Sequence, residues 1–297
     1  MQYFLQLVIS GIVVGSIYAL AALGFVLIYK ASRVINFAHG QYIAIGAFSA
    51  YFFATGPKLP FVVSAFLALV LTAFLGFLTE RIFLKKLVGQ PIISVIMVTI
   101  GLASVLDGLM HLTPFGASNY TFPKFLPQGG VNLLGLQLDY AQLLAVAFTV
   151  LFLVLFSLFF QRSTLGIAMR AVADDQMASL SLGVSVEKMF ALAWAAAGLT
   201  AAASGLVVGT IAGLNLGALT SIGLKVFPAV ILGGLDSISG AVVGGLLIGV
   251  LEKLAEGYLD ALVPGGGTSY VFPFVILLVV LWFKPHGLFG TEEIERV

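Results

Sequence analysis

Charge is scarce in this 297-residue chain, so its one charged cluster is the first place to look for chemistry. Residues 161–188 hold six charges, Arg162, Arg170, Asp174, Asp175, Glu187 and Lys188, whereas the 20 residues on either side hold none. Within this island Met169, Val172, Ala173, Met177, Leu180 and Val184 recur at spacings of three and four, which predicts one amphipathic helix over 164–184. Ser163 or Thr164 can cap its start and Gly183 its end. Arg170 and Asp174, four residues apart on the polar side, can form an ion pair. The plain reading is a helix resting on a membrane surface. Such helices carry an excess of Lys and Arg, and this one carries acids, which suits a protein partner better.

A second set of polar residues sits inside apolar sequence. Asn36, His39 and Gln41 stand at the start of an apolar run, beside Gly40. A helix beginning there frees backbone N–H groups, and interrupted helices of this kind line transport paths. Alternatively, Asn36 caps the helix and His39 satisfies backbone groups between packed helices. The segment 233–240, with Asp236 and Ser237 in a glycine-rich turn, has the same character in the second half, and the two fit an internal inverted repeat. Asp107 and His111 can share a proton but fall near a span end, where a solvated pair is expected; Glu252, Lys253 and Glu256 read as a wetted helix end. With three histidines, no cysteine and no paired carboxylates deep in a span, there is no catalytic site, metal site or cofactor to assign.

The elements that must position these residues follow from composition. The chain is 60% hydrophobic and 9% charged, with a mean hydropathy of +1.12; a soluble domain is about one quarter charged. Charge-free runs at 1–29, 34–57, 59–79, 87–106, 140–161, 189–224 and 261–283 suit a hydrocarbon core that takes about 20 residues to cross. The fold class is therefore all-α, a polytopic membrane helix bundle forming a single transmembrane domain over 1–297. Nine spans are expected, with eight to ten compatible: 3–29, 34–54, 60–80, 91–112, 139–160, 189–212, 220–235, 240–256 and 269–284. The segment 220–235 is short and carries Lys225 and Pro228, which suggests a broken helix. Lys30, Arg33, Arg81, Lys85, Lys86, Arg162, Arg170, Lys188, Lys284 and Arg296 then fall on one side, against Lys58 and Lys124 on the other. That asymmetry puts the island and the C-terminus in the cytoplasm and the N-terminus outside. The first span is expected to be retained rather than cleaved, and the loop 113–138 to form an irregular outer cap with amphipathic pieces around 131–138. Glycine pairs such as Gly11/Gly15 and Gly245/Gly249 predict close helix packing. A net charge of +1 without a basic block suggests no nucleic-acid partner.

Four stretches carry a family resemblance. The run from Leu165 to Val184 (LGIAMRAVADDQMASLSLGV) resembles the cytoplasmic coupling loop of permeases of branched-chain amino acid ABC importers. GSIYAL at 15–20 with Gly24 and Tyr29, INFAHG at 35–40, and the glycine-rich run 227–245 resemble three other elements of that family, in its order. The resemblance implies a subunit of the bacterial inner membrane that is itself no enzyme. Its partners would be a second, related permease subunit, two cytoplasmic ATPases and a periplasmic substrate-binding protein, with membrane lipid around it. The chain has no phosphate-binding Gly-x-x-x-x-Gly-Lys-Ser/Thr, in keeping with an ATPase supplied by another chain. The resemblance further implies that Arg170, Ala173, Asp174, Asp175, Met177, Leu180 and Gly183 couple to an ATPase, while Asn36, His39, Gln41, Asp236 and Ser237, as polar residues at breaks in apolar spans, are the candidates to border the substrate path. The outer end near Glu252 would help receive the binding protein. Leucine, isoleucine and valine, or related small amino acids and amides, are the expected cargo. The alternative is a self-sufficient secondary carrier or channel, which would need carboxylates in mid-membrane.

Overall fold

Long charge-free runs become helices because hydrocarbon leaves the backbone no hydrogen-bond partner but itself. The computed structural model describes residues 1–87, 90–123, 125, 129–133, 136–263 and 265–290. In chain order its elements are α1 (Gln2–Ser32), α2 (His39–Thr55), α3 (Phe61–Thr79), α4 (Ile92–His111), β1 (Gly130–Leu133), β2 (Leu136–Asp139), α5 (Tyr140–Arg162), α6 (Thr164–Asp174) and α7 (Gln176–Ser181). There follow α8 (Val186–Ala212), α9 (Leu216–Lys225), α10 (Phe227–Gly233), α11 (Ile238–Leu259) and α12 (Thr268–Phe283). Among the described residues seven helical segments are long and apolar enough to cross a membrane; α9 with α10 counts as one of them, and α3 runs on to Leu87. α2, with 17 residues, and α12, with 16, are shorter. The protein is an all-α polytopic bundle.

The core is built around α1. It packs antiparallel to α11, and small residues let the two backbones touch. A Cβ on Gly249 would lie 2.2 Å from the Gly15 nitrogen, and one on Gly15 would lie 2.7 Å from the Leu246 Cα. In lipid, where burying apolar side chains gains little, such close packing holds helices together. α8 uses the same device twice. Gly205 sits against the Ile43 carbonyl of α2, and Gly198 against the Thr72 carbonyl of α3. α3, α4 and α5 turn most of their surface outward.

The structure departs from the sequence expectations at three places and bears out a fourth. The second span starts only at His39, because Arg33 ends α1 in a left-handed conformation (φ 56°) and residues 34–38 are not helical. The expected break in 220–235 lies at Val226: α10 begins anew with Pro228 in its first turn, and proline has no N–H to continue the ladder of α9. The single helix expected over 164–184 is two helices, parted at Asp175. The loop 113–138 is more regular than expected. Within it β1 and β2 pair antiparallel, with Val131 opposite Leu138. Tyr120 pairs by backbone with Leu214, and Phe115 and Tyr120 stack on Phe48 and Tyr51 of α2. Lys124 and Arg296, which entered the charge asymmetry, lie outside the described residues.

Candidate functional site

The polar island forms a two-helix unit fastened to the bundle at one end. Ser163 Oγ accepts the Gly166 N–H at 2.9 Å and starts α6. Arg170 does not pair with Asp174 as the spacing suggested. Its guanidinium donates to the Phe160 and Gln161 carbonyls at 2.6 and 3.0 Å and lies over the Phe160 ring. The last carbonyls of α5 have no helical partner and mark the negative end of its dipole, so they hold a cation better than an exposed aspartate does. Met169 and Val172 complete the anchor by packing with Phe156, Phe160 and Met189.

Asp175 is extended (φ −152°) and ends α6, and its Oδ1 accepts the Ala178 N–H at 2.9 Å to start α7. At the far end Gly183 has a φ of 82°. The Val184 N–H reaches the Ser179 carbonyl at 2.9 Å, and the Gly183 N–H the Leu180 carbonyl at 3.0 Å. This paired closure needs a left-handed residue, which glycine supplies without strain. The result splits the stripe read from the sequence. Met169 and Val172 face inward and Ala173 is half-buried, whereas Met177 and Leu180 are 74% and 53% exposed beside Asp174 and Asp175. After the unit, Glu187 at the start of α8 meets Lys85 at 2.9 Å and Arg81 at 3.7 Å, tying α8 to the end of α3.

The expected path residues divide between two places. Asn36 is fully buried; its Oδ1 accepts the Ala38 N–H at 3.0 Å, while its Nδ2 has no partner. His39 is also fully buried, its ring 4.5 Å from that of Phe25 and pressed on Gly24. Neither of its ring nitrogens makes a full hydrogen bond, although the Ala21 carbonyl interacts with the ring. Gln41 faces a different space, a groove of about 530 Å³ between α2, α4 and α9. Ser104, Asp107, Thr220 and Ser221 line this groove too, and the buried Oε1 of Gln41 has no partner. Asp236 and Ser237 are not brought to this region. Ser237 caps α11 by accepting the Gly240 N–H at 3.0 Å, and both residues border a groove between α5 and α11. The segment that meets Gly40 is Thr220–Gly223 of α9, just before the Val226 break.

Residues 7–281 match the family described as the permease component of branched-chain amino acid transport systems. The chain belongs to this family. It is 33% identical to the high-affinity branched-chain amino acid transport system permease protein BraD of Pseudomonas aeruginosa, over 99% of this chain and 98% of that protein. Over the same shares it is 30% identical to the permease protein LivH of Escherichia coli. A probable branched-chain amino acid transport permease of Methanocaldococcus jannaschii is 27% identical over 97% of this chain and 93% of that one. The permease is one component of a transport system and a multi-pass protein of the inner membrane.

One polar cluster in the permease was misread from sequence. Glu252 is no wetted helix end: it is only 4% exposed. The Tyr18 hydroxyl donates to its Oε2 at 2.7 Å, and Lys225 approaches Oε1 at 3.7 Å while lying over the Tyr270 ring at 4.0 Å. The cluster joins α1, α9, α11 and α12. The signal was available, since Gly245, Gly249 and Glu252 fall at spacings of four and three, which aims Glu252 where the glycines point, at α1. Lys253 pairs instead with Glu256 at 2.6 Å. Removing one partner of a buried pair strands the other charge, at a cost of about 3 kcal/mol. Lys225→Met should therefore lower the melting temperature of the purified permease. Adding Glu252→Gln should recover most of the loss, and a double variant no more stable than the single would show that the pair is not coupled.

Proposed function

We propose that this permease is the membrane-spanning subunit of an ATP-driven importer that moves branched-chain amino acids, or closely related small amino acids and amides, into the cytoplasm. Two separate ATPase subunits supply the energy and a binding protein delivers the substrate. The permease catalyses no reaction itself. The names of its relatives support the cargo. The exposed face of α6–α7 carries the coupling assignment: Asp174, Asp175, Met177 and Leu180 point away from the bundle, while Arg170, Met169 and Val172 fix the unit's other side to it. A force applied to α7 passes through α6 into α5 and through Gly183 into α8.

The chain crosses the membrane nine times, with the N-terminus outside and the island in the cytoplasm; the excess of lysine and arginine on the island's side supports this orientation. The substrate path runs along the groove of Gln41, Ser104, Asp107, Thr220 and Ser221. Polar side chains on a span's outward face are costly against lipid, and a second, related permease subunit seated on α4 and α9 would cover them. Asn36 and His39 shape the helix break behind this groove, and Asp236 and Ser237 stand apart from it. The carrier alternative gains no support, because Asp107 lies near a helix end with its carboxylate 3.3 Å from His111, and Glu252 is engaged by Tyr18 and Lys225.

Three measurements test this reading. Asp175 caps α7, so the cleaner charge reversal is Asp174→Lys with Met177→Lys, which should leave membrane insertion intact but abolish co-purification of the ATPases and most uptake. Gly183→Val adds strain of about 1–3 kcal/mol, enough to lower uptake about tenfold; full uptake in both variants would remove the coupling assignment. In this cysteine-free chain, Ser181→Cys should react with an impermeant maleimide only from the cytoplasm and Ser118→Cys only from outside, and the opposite pattern would invert the topology. Finally, Gln41→Leu should reduce uptake several-fold while the complex still assembles and hydrolyses ATP at its basal rate, whereas unchanged uptake would move the path elsewhere.

A further inference from the structure

A groove of about 770 Å³ runs between α5 and α11, floored by Leu23 of α1. α5 packs on α1 and α8, and Leu23 at the floor is itself buried between them. The walls are apolar: Leu153, Val154 and Leu158 on one side, Val242 and Val243 on the other. One end is polar, with Lys30, Gln161, Arg170, Asp236 and Ser239 converging there. All three helices show the same gradient. From Lys30 to Leu23 on α1 is about 10 Å, and from Gln161 to Leu153 on α5 about 12 Å, at 1.5 Å per residue. The groove thus starts at the basic membrane interface and reaches about a third of the way through a hydrocarbon core of about 30 Å.

We propose that this groove binds one anionic glycerophospholipid from the leaflet on the basic side. Its phosphate sits at Lys30 and Arg170, and one acyl chain lies between the two walls. The rim decides the charge. Lys30 and Arg170 both stand there, and Lys30 has no hydrogen-bond or ion-pair partner among the described residues. The walls decide that the occupant is a lipid and not the second permease, since the polar face that a protein would have to cover lies on α4 and α9. Basic pockets between helices at this interface suit acidic lipid head groups. The site is independent of the transported solute. It adjoins Arg170, so its occupant would bear on the anchor of the α6–α7 unit.

The test uses the full-length permease, purified in mild detergent, with native mass spectrometry and thermal melting. Phosphatidylglycerol, phosphatidylcholine of the same acyl chains, and inorganic phosphate are added in separate arms. One phosphatidylglycerol should stay bound and raise the melting temperature, while the other two should not. Lys30→Glu should reduce its retention about fivefold or more, whereas Lys86→Glu, on the same basic side but outside the groove, should not. Val243→Trp, which fills the groove without touching a charge, should displace the lipid and carries the test if Lys30→Glu does not fold. Equal retention of the two lipids, or equal loss in Lys30→Glu and Lys86→Glu, would overturn the site. So would stabilisation by phosphate alone, or unchanged retention in Val243→Trp.

Discussion

Backbone groups freed inside hydrocarbon have no water to turn to, and the arrangement of this permease follows from how each interruption is met. Between α1 and α2 the Asn36 side chain takes the Ala38 N–H, while Thr99 of α4 accepts the Phe37 N–H at 3.4 Å and donates to the Ile35 carbonyl at 3.3 Å. At the end of α10, the Leu288 and Phe289 N–H groups reach the Leu232 and Gly233 carbonyls at 2.8 and 3.1 Å. The chain after α12 thereby closes the break ahead of α11. Each of these two interruptions lies against another part of the chain that supplies missing partners, a helix in the first case and the segment after α12 in the second. The close glycine contacts of α1 with α11 and of α8 with α2 and α3 bring those partners within reach.

The same economy holds the outer elements to the core. α6 is fastened by a guanidinium on two carbonyls and by Met169 and Val172, so it moves with α5. α8 is tied to α3 through Glu187, and its glycine faces hold it to the core. α4 and α5, by contrast, turn most of their surface away from the core.

Much of this was legible in the sequence. The ends of α4, α5 and α12 fall within two residues of the spans read from hydropathy, because a charge-free run flanked by Lys, Arg or Pro leaves little choice. The left-handed Gly183 and the break near Pro228 could be read because glycine and proline act on the chain locally. Partner choice could not. Arg170 at four residues from Asp174 looks like an ion pair, yet the stronger attraction comes from carbonyls of the preceding helix. Asp175 looks like one of two equivalent acids, yet its side chain competes for the Ala178 N–H and breaks the helix. Glu252 looks solvated until α1 and α9 are placed beside it. The separation of Gln41 from Asp236 likewise depends on how helices distant in sequence cross.

The lengths of α1 and α2 have a further consequence. At 1.5 Å per residue, the 31 residues of α1 extend about 46 Å and the 17 of α2 about 26 Å, on either side of a hydrocarbon thickness of about 30 Å. α12, with 16 residues, is also short. One helix must tilt or protrude, while its neighbour stops below the surface. This mismatch keeps the Asn36 turn within the protein at membrane depth. It also means the bundle has no single hydrophobic thickness. The bilayer must thin beside the outward-facing α12 and relax elsewhere, each at fractions of a kcal/mol per ångström. Any change in tilt during transport then works against the stiffness of the surrounding lipid, and membrane thickness becomes one of the loads on the cycle.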